Sequence, residues 1–234
     1  MRRFILSLSC FLMTFAAPIS AQDFQKGLEA VQSGDFETAL KEWKPLAERG
    51  NSGAQYNIGL LYDTGQGVPQ DYKEAVKWYR LAAEQGLAVA QSNLGAAYQD
   101  GHGVPQDYKE AVRWYAMAAV QGVAEAQFNF GNMFSNGWGV PQDYKVSVIW
   151  YRLAAEQGHA NAQYNLGVVY ARGEGVLADN VLAHMWFNLS GANGDSNGAK
   201  KREKIAKNMT PEDISIAQAM AKVCMNSNYD KCGY

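Results

Sequence analysis

The sequence predicts an all-α solenoid, and three observations carry that prediction: a block repeated four times, apolar residues at helical spacing inside each block, and a glycine pair interrupting every block at one place. Aligning Ala54, Ala90, Ala126 and Ala162 sets a period of 36 residues and puts Gly59, Gly95, Gly131 and Gly167 in one column. The pairs Gly65/Gly67, Gly101/Gly103, Gly137/Gly139 and Gly173/Gly175 share the grid, as do Asp71, Asp107, Asp143 and Asp179 and the tryptophans Trp78, Trp114, Trp150 and Trp186. A block this short cannot bury its own apolar face, so the blocks must stack.

Residues 1–21 read as a secretory signal peptide: Arg2 and Arg3, an apolar run from Phe4 to Ala17, then small residues at Ser20 and Ala21. The apolar run is too short for a span, so no membrane span is expected in the mature chain. Cleavage after Ala21 removes two arginines and no acid, which leaves 23 acidic residues against 19 basic ones and a net charge of −4. That balance gives no electrostatic case for nucleic acid. Export to an oxidising compartment, the periplasm first, favours pairing Cys224 with Cys232.

Residues 22–53 form a degenerate N-terminal repeat, in which Gly34, Asp35, Phe36, Ala39, Leu40, Trp43, Ala47 and Gly50 follow the second half of the later copies. The full repeats are 54–89, 90–125, 126–161 and 162–197, followed by C-terminal capping helices and a disulfide-closed tail over 198–234. In the first copy Ala54, Ile58, Leu61 and Tyr62 lie on one helical stripe, which predicts a helix A over 54–64. Gly65 and Gly67 break it, Asp71 caps a helix B, Glu74 completes a capping box, and Gly86 fits a left-handed C-terminal position. Helix B presents Ala75, Val76, Trp78, Tyr79, Ala82 and Ala83 to the core. Glycine inside helix A costs about 0.5–1 kcal/mol against alanine, so its recurrence at Gly59, Gly95, Gly131 and Gly167 marks close packing against a helix B ring. On this reading Gly59→Leu overpacks the stack, and Trp78→Ala costs about 3–5 kcal/mol. After the last repeat, Ala199 to Asn208 reads as a polar helix, and Thr210, Pro211 and Asp213 start a final helix that runs to about Cys224, making some twelve helices in all.

Residues 54–86, AQYNIGLLYDTGQGVPQDYKEAVKWYRLAAEQG, resemble the Sel-one-like repeat, a relative of the tetratricopeptide repeat with a longer loop carrying G-x-G-V. The likeness covers residues 54–194. It implies a right-handed α-solenoid superhelix of antiparallel helix pairs and an adaptor role, with a protein or peptide as partner. Departures are concentrated in copies three and four, with Lys145, Val146 and Ser147 for the Lys-Glu-Ala of the first copy, Leu177 for the loop proline and Ser190, Gly191 and Ala192 for Ala-Ala-Glu, so looser packing is expected in the fourth copy.

The chemistry-bearing residues point away from catalysis. The glycine pairs follow a helix and lack the third glycine and lysine of a phosphate motif. His102, His159 and His184 fall at different repeat positions with no second ligand at metal spacing, and His184 takes the place of Val76, so it reads as a packing residue. Cysteine-rich relatives are linked to penicillin binding or β-lactamase activity, but the cysteine pairs of that branch, S-x-x-K and K-T-G are all missing. No enzyme, cofactor or metal is therefore expected. Cell-wall-ligand binding, a hydrolase like those relatives and a secreted host-interaction factor are the alternative functions. The basic run Lys200, Lys201, Arg202, Lys204 and Lys207 reads as a solvated helix face.

Partner contacts are expected where the copies differ. Away from the apolar stripe, helix A carries Tyr56, Leu60 and Asp63, then Ser92, Ala96 and Gln99, then Phe128, Asn132 and Ser135, then Tyr164, Val168 and Ala171. Tyr56, Phe128 and Tyr164 read equally as anchors or as packing against the next repeat. At the loop tip the copies read Gln66, His102, Trp138 and Glu174, and Trp138 is the first contact candidate, with Asn132 and His102 beside it. The recurring pairs Gln55/Asn57, Gln91/Asn93, Gln127/Asn129 and Gln163/Asn165 admit a structural or a peptide-clamping role, with the structural one favoured.

Overall fold

Every segment with apolar helical periodicity is helical, and no strand occurs among the described residues. The computed structural model describes residues 21–232, so all of the expected signal peptide but Ala21, Cys10 included, and the last two tail residues lie outside the described residues. The cap repeat comprises α1 (Ala21–Gln32) and α2 (Phe36–Glu48). The four repeats are the pairs α3 (Ser52–Thr64) and α4 (Tyr72–Glu84), α5 (Ala88–Asp100) and α6 (Tyr108–Val120), α7 (Ala124–Asn136) and α8 (Tyr144–Ala155), and α9 (Ala160–Arg172) and α10 (Asn180–Ala192). α11 (Ser196–Ala206) and α12 (Pro211–Asn226) close the chain. Each helix packs chiefly on its neighbours in sequence, and α12 folds back onto α10. This is the all-α solenoid of antiparallel helix pairs that the repeat predicts.

Glycines and acids set the joints. Gly65 ends α3 in the left-handed region at φ +70°, and its N–H donates to the Leu61 carbonyl. The second glycine of each pair works between repeats: Gly103 has φ +74°, and a Cβ there would collide with the backbone of Tyr72 at the start of the preceding helix B. Asp71 then accepts from the N–H groups of Lys73 (2.9 Å) and Glu74 (3.1 Å), capping α4. The reciprocal half of the expected capping box does not form. The Asp71 N–H donates instead to the Tyr62 carbonyl at 2.9 Å, and Glu74 turns outward to Lys77 at 2.6 Å. The long loop folds back across the end of helix A and takes the donor a box would have used.

The core is a row of clusters in which helix B of one repeat meets helix A of the next. Within each repeat the helical glycine faces a ring of its own helix B, and that ring is Tyr79, not Trp78. A Cβ on Gly59 would lie 2.6 Å from the Tyr79 ring, and Gly95, Gly131 and Gly167 face Tyr115, Tyr151 and Phe187 in the same way. The tryptophans sit one position back, where they reach the preceding junction. Trp150 meets Phe130 edge-on at 5.0 Å. Trp78, Trp114 and Trp150 are only half-buried as a result, whereas Trp186 is fully enclosed.

The expected looseness of the fourth repeat is contradicted. Met185, Trp186, Phe187 and Leu189 are all at or below 2% exposure and belong to the largest cluster. Ser190 and Gly191 are small because α11 passes close: a Cβ on Gly191 would stand 3.1 Å from the Ala199 nitrogen, and one on Gly198 would meet Ser190. His184 packs as expected, and its burial is complete at 2%. Cys224 and Cys232 form the disulfide, and Tyr229 of the closed tail donates through its hydroxyl to Asn193 at 2.8 Å.

Candidate interaction surface

The helix A side of the stack holds a polar network built on the ring column. The Tyr79 hydroxyl donates to Asp63 at 3.1 Å, Tyr115 to Gln99 at 3.2 Å and Tyr151 to Asn132 at 2.7 Å. Burial pushes all three phenols above their ordinary value, so the rings stay neutral donors. In the fourth repeat the ring is Phe187, and the residue at the Asp63 position is Ala171. Hydroxyl and acceptor disappear together, which leaves an apolar wall there.

Tyr56, Phe128 and Tyr164 rest on this column. Tyr56 lies 5.9 Å from Tyr79, Tyr164 lies 5.7 Å from Phe187, and Phe128 lies 6.0 Å from Tyr151 and stacks on His159 at 4.8 Å. Each is half-buried, with packing on one side and a surface on the other. His159 also bonds Glu125 at 2.9 Å across the repeat junction, which holds the Glu125 carboxyl below the ordinary range. Asn132 is held from two sides, accepting from Tyr151 and, at 3.2 Å, from Asn165.

The loop tips are partly occupied within the chain. His102 stacks on Tyr72 at 4.5 Å, and Trp138 stacks on Tyr108 at 5.5 Å and 15°, so each tip lies on the first helix B residue of the repeat before it. Trp138 still exposes 39% of its surface. His102 rims a cavity of about 220 Å³ between the first two repeats, with Asp63, Tyr79, Asn93 and Asp100 among its walls. Trp138 holds the same repeat position one copy on.

The recurring glutamines are structural. Gln55 donates to the Ala47 carbonyl at 3.0 Å and accepts from Gln85 at 2.6 Å, and the motif recurs at Gln91, Gln127 and Gln163, all buried. Each amide fastens a helix A to the end of the helix B before it. The asparagines two residues on are half-buried, and Asn165 joins the surface network through Asn132. A separate exposed apolar row, Leu81, Met117 and Leu153, follows the repeat on helices B. Among the described residues no group of three or more His, Cys, Asp or Glu could hold a metal ion, and no helix is long and apolar enough to cross a membrane.

Sequence reasoning missed a second cavity, of about 260 Å³, at the other end of the stack. Val168, Ala171, Arg172 and Phe187 meet Lys201, Lys204 and Ile205 there. The signal was available: one more step of the 36-residue grid beyond Ala162 lands on Gly198, buried like the alanines, which makes α11 a fifth helix A.

Comparison with known proteins agrees with this architecture. The family model for the Sel1 repeat matches residues 52–87, 88–123, 124–159 and 160–195. The chain is similar to c5321, a protective antigen present in uropathogenic Escherichia coli strains and displaying an SLR fold, at 35% identity and TM-score 0.83, over 88% of this chain and 46% of that one. It resembles a Sel1 repeat protein from Oxalobacter formigenes at 32% identity and TM-score 0.76, covering 89% and 84% of the two chains. A 45-residue stretch, 19% of this chain, is 42% identical to DAP3-binding cell death enhancer 1 of Rattus norvegicus but spans only 9% of that protein, and the chain likewise covers less than half of the Escherichia coli antigen. With four matched repeats and a matching solenoid, the chain belongs to the Sel1 repeat family.

Proposed function

We propose that the protein is an exported scaffold that binds a protein or peptide partner along its helix A face in the bacterial envelope, without catalysis. The observation that carries this reading is the division of labour within the repeat. The columns that build the fold, Gly59 against Tyr79 and Gln55 against Ala47, recur with one chemistry, while the surface beside them changes from copy to copy. Selection for stacking alone would keep that surface alike. Half-buried aromatics on a polar face supply anchor area with little side-chain entropy left to lose. Membership of a repeat family of protein-interaction scaffolds supports the binding role, and the arginine-led apolar segment at residues 2–21 supports export.

Affinity capture from a native envelope fraction tests the reading, with Trp138→Ala/Tyr164→Ser compared with the unsubstituted protein after melting curves confirm that both are folded. A protein retained by the parent and lost by the variant is the expected outcome. Pelleting with peptidoglycan and no captured protein would replace the protein partner with a glycan.

A further inference from the structure

We infer that the cavity between the fourth repeat and α11 receives side-chain carboxylates from an acidic, apolar-containing segment of a protein partner, an inference that rests on the helix A face being the binding face. Two cavities occupy equivalent places in the solenoid. Asp63, Tyr72, Tyr79, Asn93, Ala96, Ala97 and Asp100 line the first, and three repeats on those positions are Ala171, Asn180, Phe187, Lys201, Lys204, Ile205 and Asn208. The backbone offers the same niche twice, and the side chains reverse its charge.

At the first niche two carboxylates face a network of phenols and amides. At the second both aspartates are gone, two lysines have arrived, and Arg172 adds a third cation. Arg172 shares its charge with Glu174 at 3.4 Å, whereas Lys201 and Lys204 have no carboxylate partner among the described residues. Lys201 is half-buried at the cavity wall. No acidic residue lines the cavity. Its floor is apolar because Phe187 lacks the hydroxyl of Tyr79 and Ala171 lacks the acid that would accept from one. A basic rim over a floor of Val168, Phe187 and Ile205 fits a carboxylate whose neighbour in the segment is an apolar side chain. The helix A face thus carries an acidic niche near one end and a basic niche near the other, which gives a bound segment one preferred direction.

Panning a phage library of random peptides tests this, because library peptides joined to the coat protein by their C-terminal ends offer only side-chain carboxylates. The unsubstituted protein, Lys201→Glu/Lys204→Glu and Lys200→Glu/Lys207→Glu are panned in parallel, the last pair carrying the same charge change on α11 outside this cavity. The parent and the Lys200/Lys207 variant are expected to enrich Asp or Glu beside Leu, Ile or Phe. The selected peptides, synthesised as amides, should bind the Lys201/Lys204 variant about tenfold or more weakly. Lys201→Gln/Lys204→Gln replaces the reversal variant if reversal unfolds the chain, with the same loss expected. Peptides enriched by the parent that bind all variants alike, or that the Lys200/Lys207 change weakens equally, would overturn the cavity while leaving the binding face standing. Enrichment of no peptide would remove the peptide-binding reading, and this inference with it.

Discussion

Gly95 and Tyr115 show how one residue sets the spacing of a repeat. A Cβ on Gly95 would stand 2.8 Å from the ring, so Gly95→Leu is expected to cost about 1–3 kcal/mol by overpacking, read as a lower melting midpoint. The tryptophan column needs a finer scale than the sequence supplies. Trp186→Ala should cost about 3–5 kcal/mol because the side chain is fully enclosed, whereas half-buried Trp78→Ala should cost about 1–2 kcal/mol by area alone. The glycine column was legible because a repeated penalty needs a repeated cause. Which ring met it was not, since positions 78 and 79 are both aromatic and only the direction of stacking separates them. His184 makes a pH prediction. Burial, then the Arg202 charge, hold its folded form below the ordinary value, and its Nδ1 has no hydrogen-bond partner among the described residues. The unfolded chain therefore binds the proton more readily, and stability should fall as pH drops through about 6.5. In His184→Val, which restores the residue of the other copies, unfolding midpoints measured across that window should lose this part of the slope.

Among elements, the loop between helices A and B decides more than its sequence announces. The helix boundaries, the left-handed glycines and the aspartate caps followed from local chemistry and stand within two residues of where the grid puts them. The capping box failed because its donor was taken by a carbonyl reached through the folded loop, a contact that no local pattern encodes. Thus Asp107→Ala should cost about 1 kcal/mol, while Glu110→Ala, which removes only an exposed pair with Arg113, should cost under about 0.5 kcal/mol. Chemical denaturation of the two variants separates a one-sided cap from a box, in which the losses would be similar. The fourth repeat was misread for a related reason. Ser190 and Gly191 look like lost packing until α11 is placed against them, and α11 itself looked like a solvated helix because its lysines hide the grid position of Gly198.

At the scale of the whole molecule, the stack gives two continuous exposed features that follow the repeat: the variable helix A face, and the apolar row Leu81, Met117 and Leu153 on helices B. The solenoid was legible from periodicity alone, since stacking is the one way such short blocks bury apolar surface. Of the proposed binding face, the variable column was visible in the sequence, but its charge polarity emerged only when equivalent positions were placed in equivalent cavities. The central claim is that recognition uses the helix A face and that helices B hold the stack together. The most direct measurement is a parallel envelope capture by the unsubstituted protein, Trp138→Ala/Tyr164→Ser and Met117→Ser/Leu153→Ser, each shown to be folded. Loss of a captured partner by the first variant and its retention by the second is the result this account predicts; retention by the first and loss by the second would place recognition on helices B and contradict it.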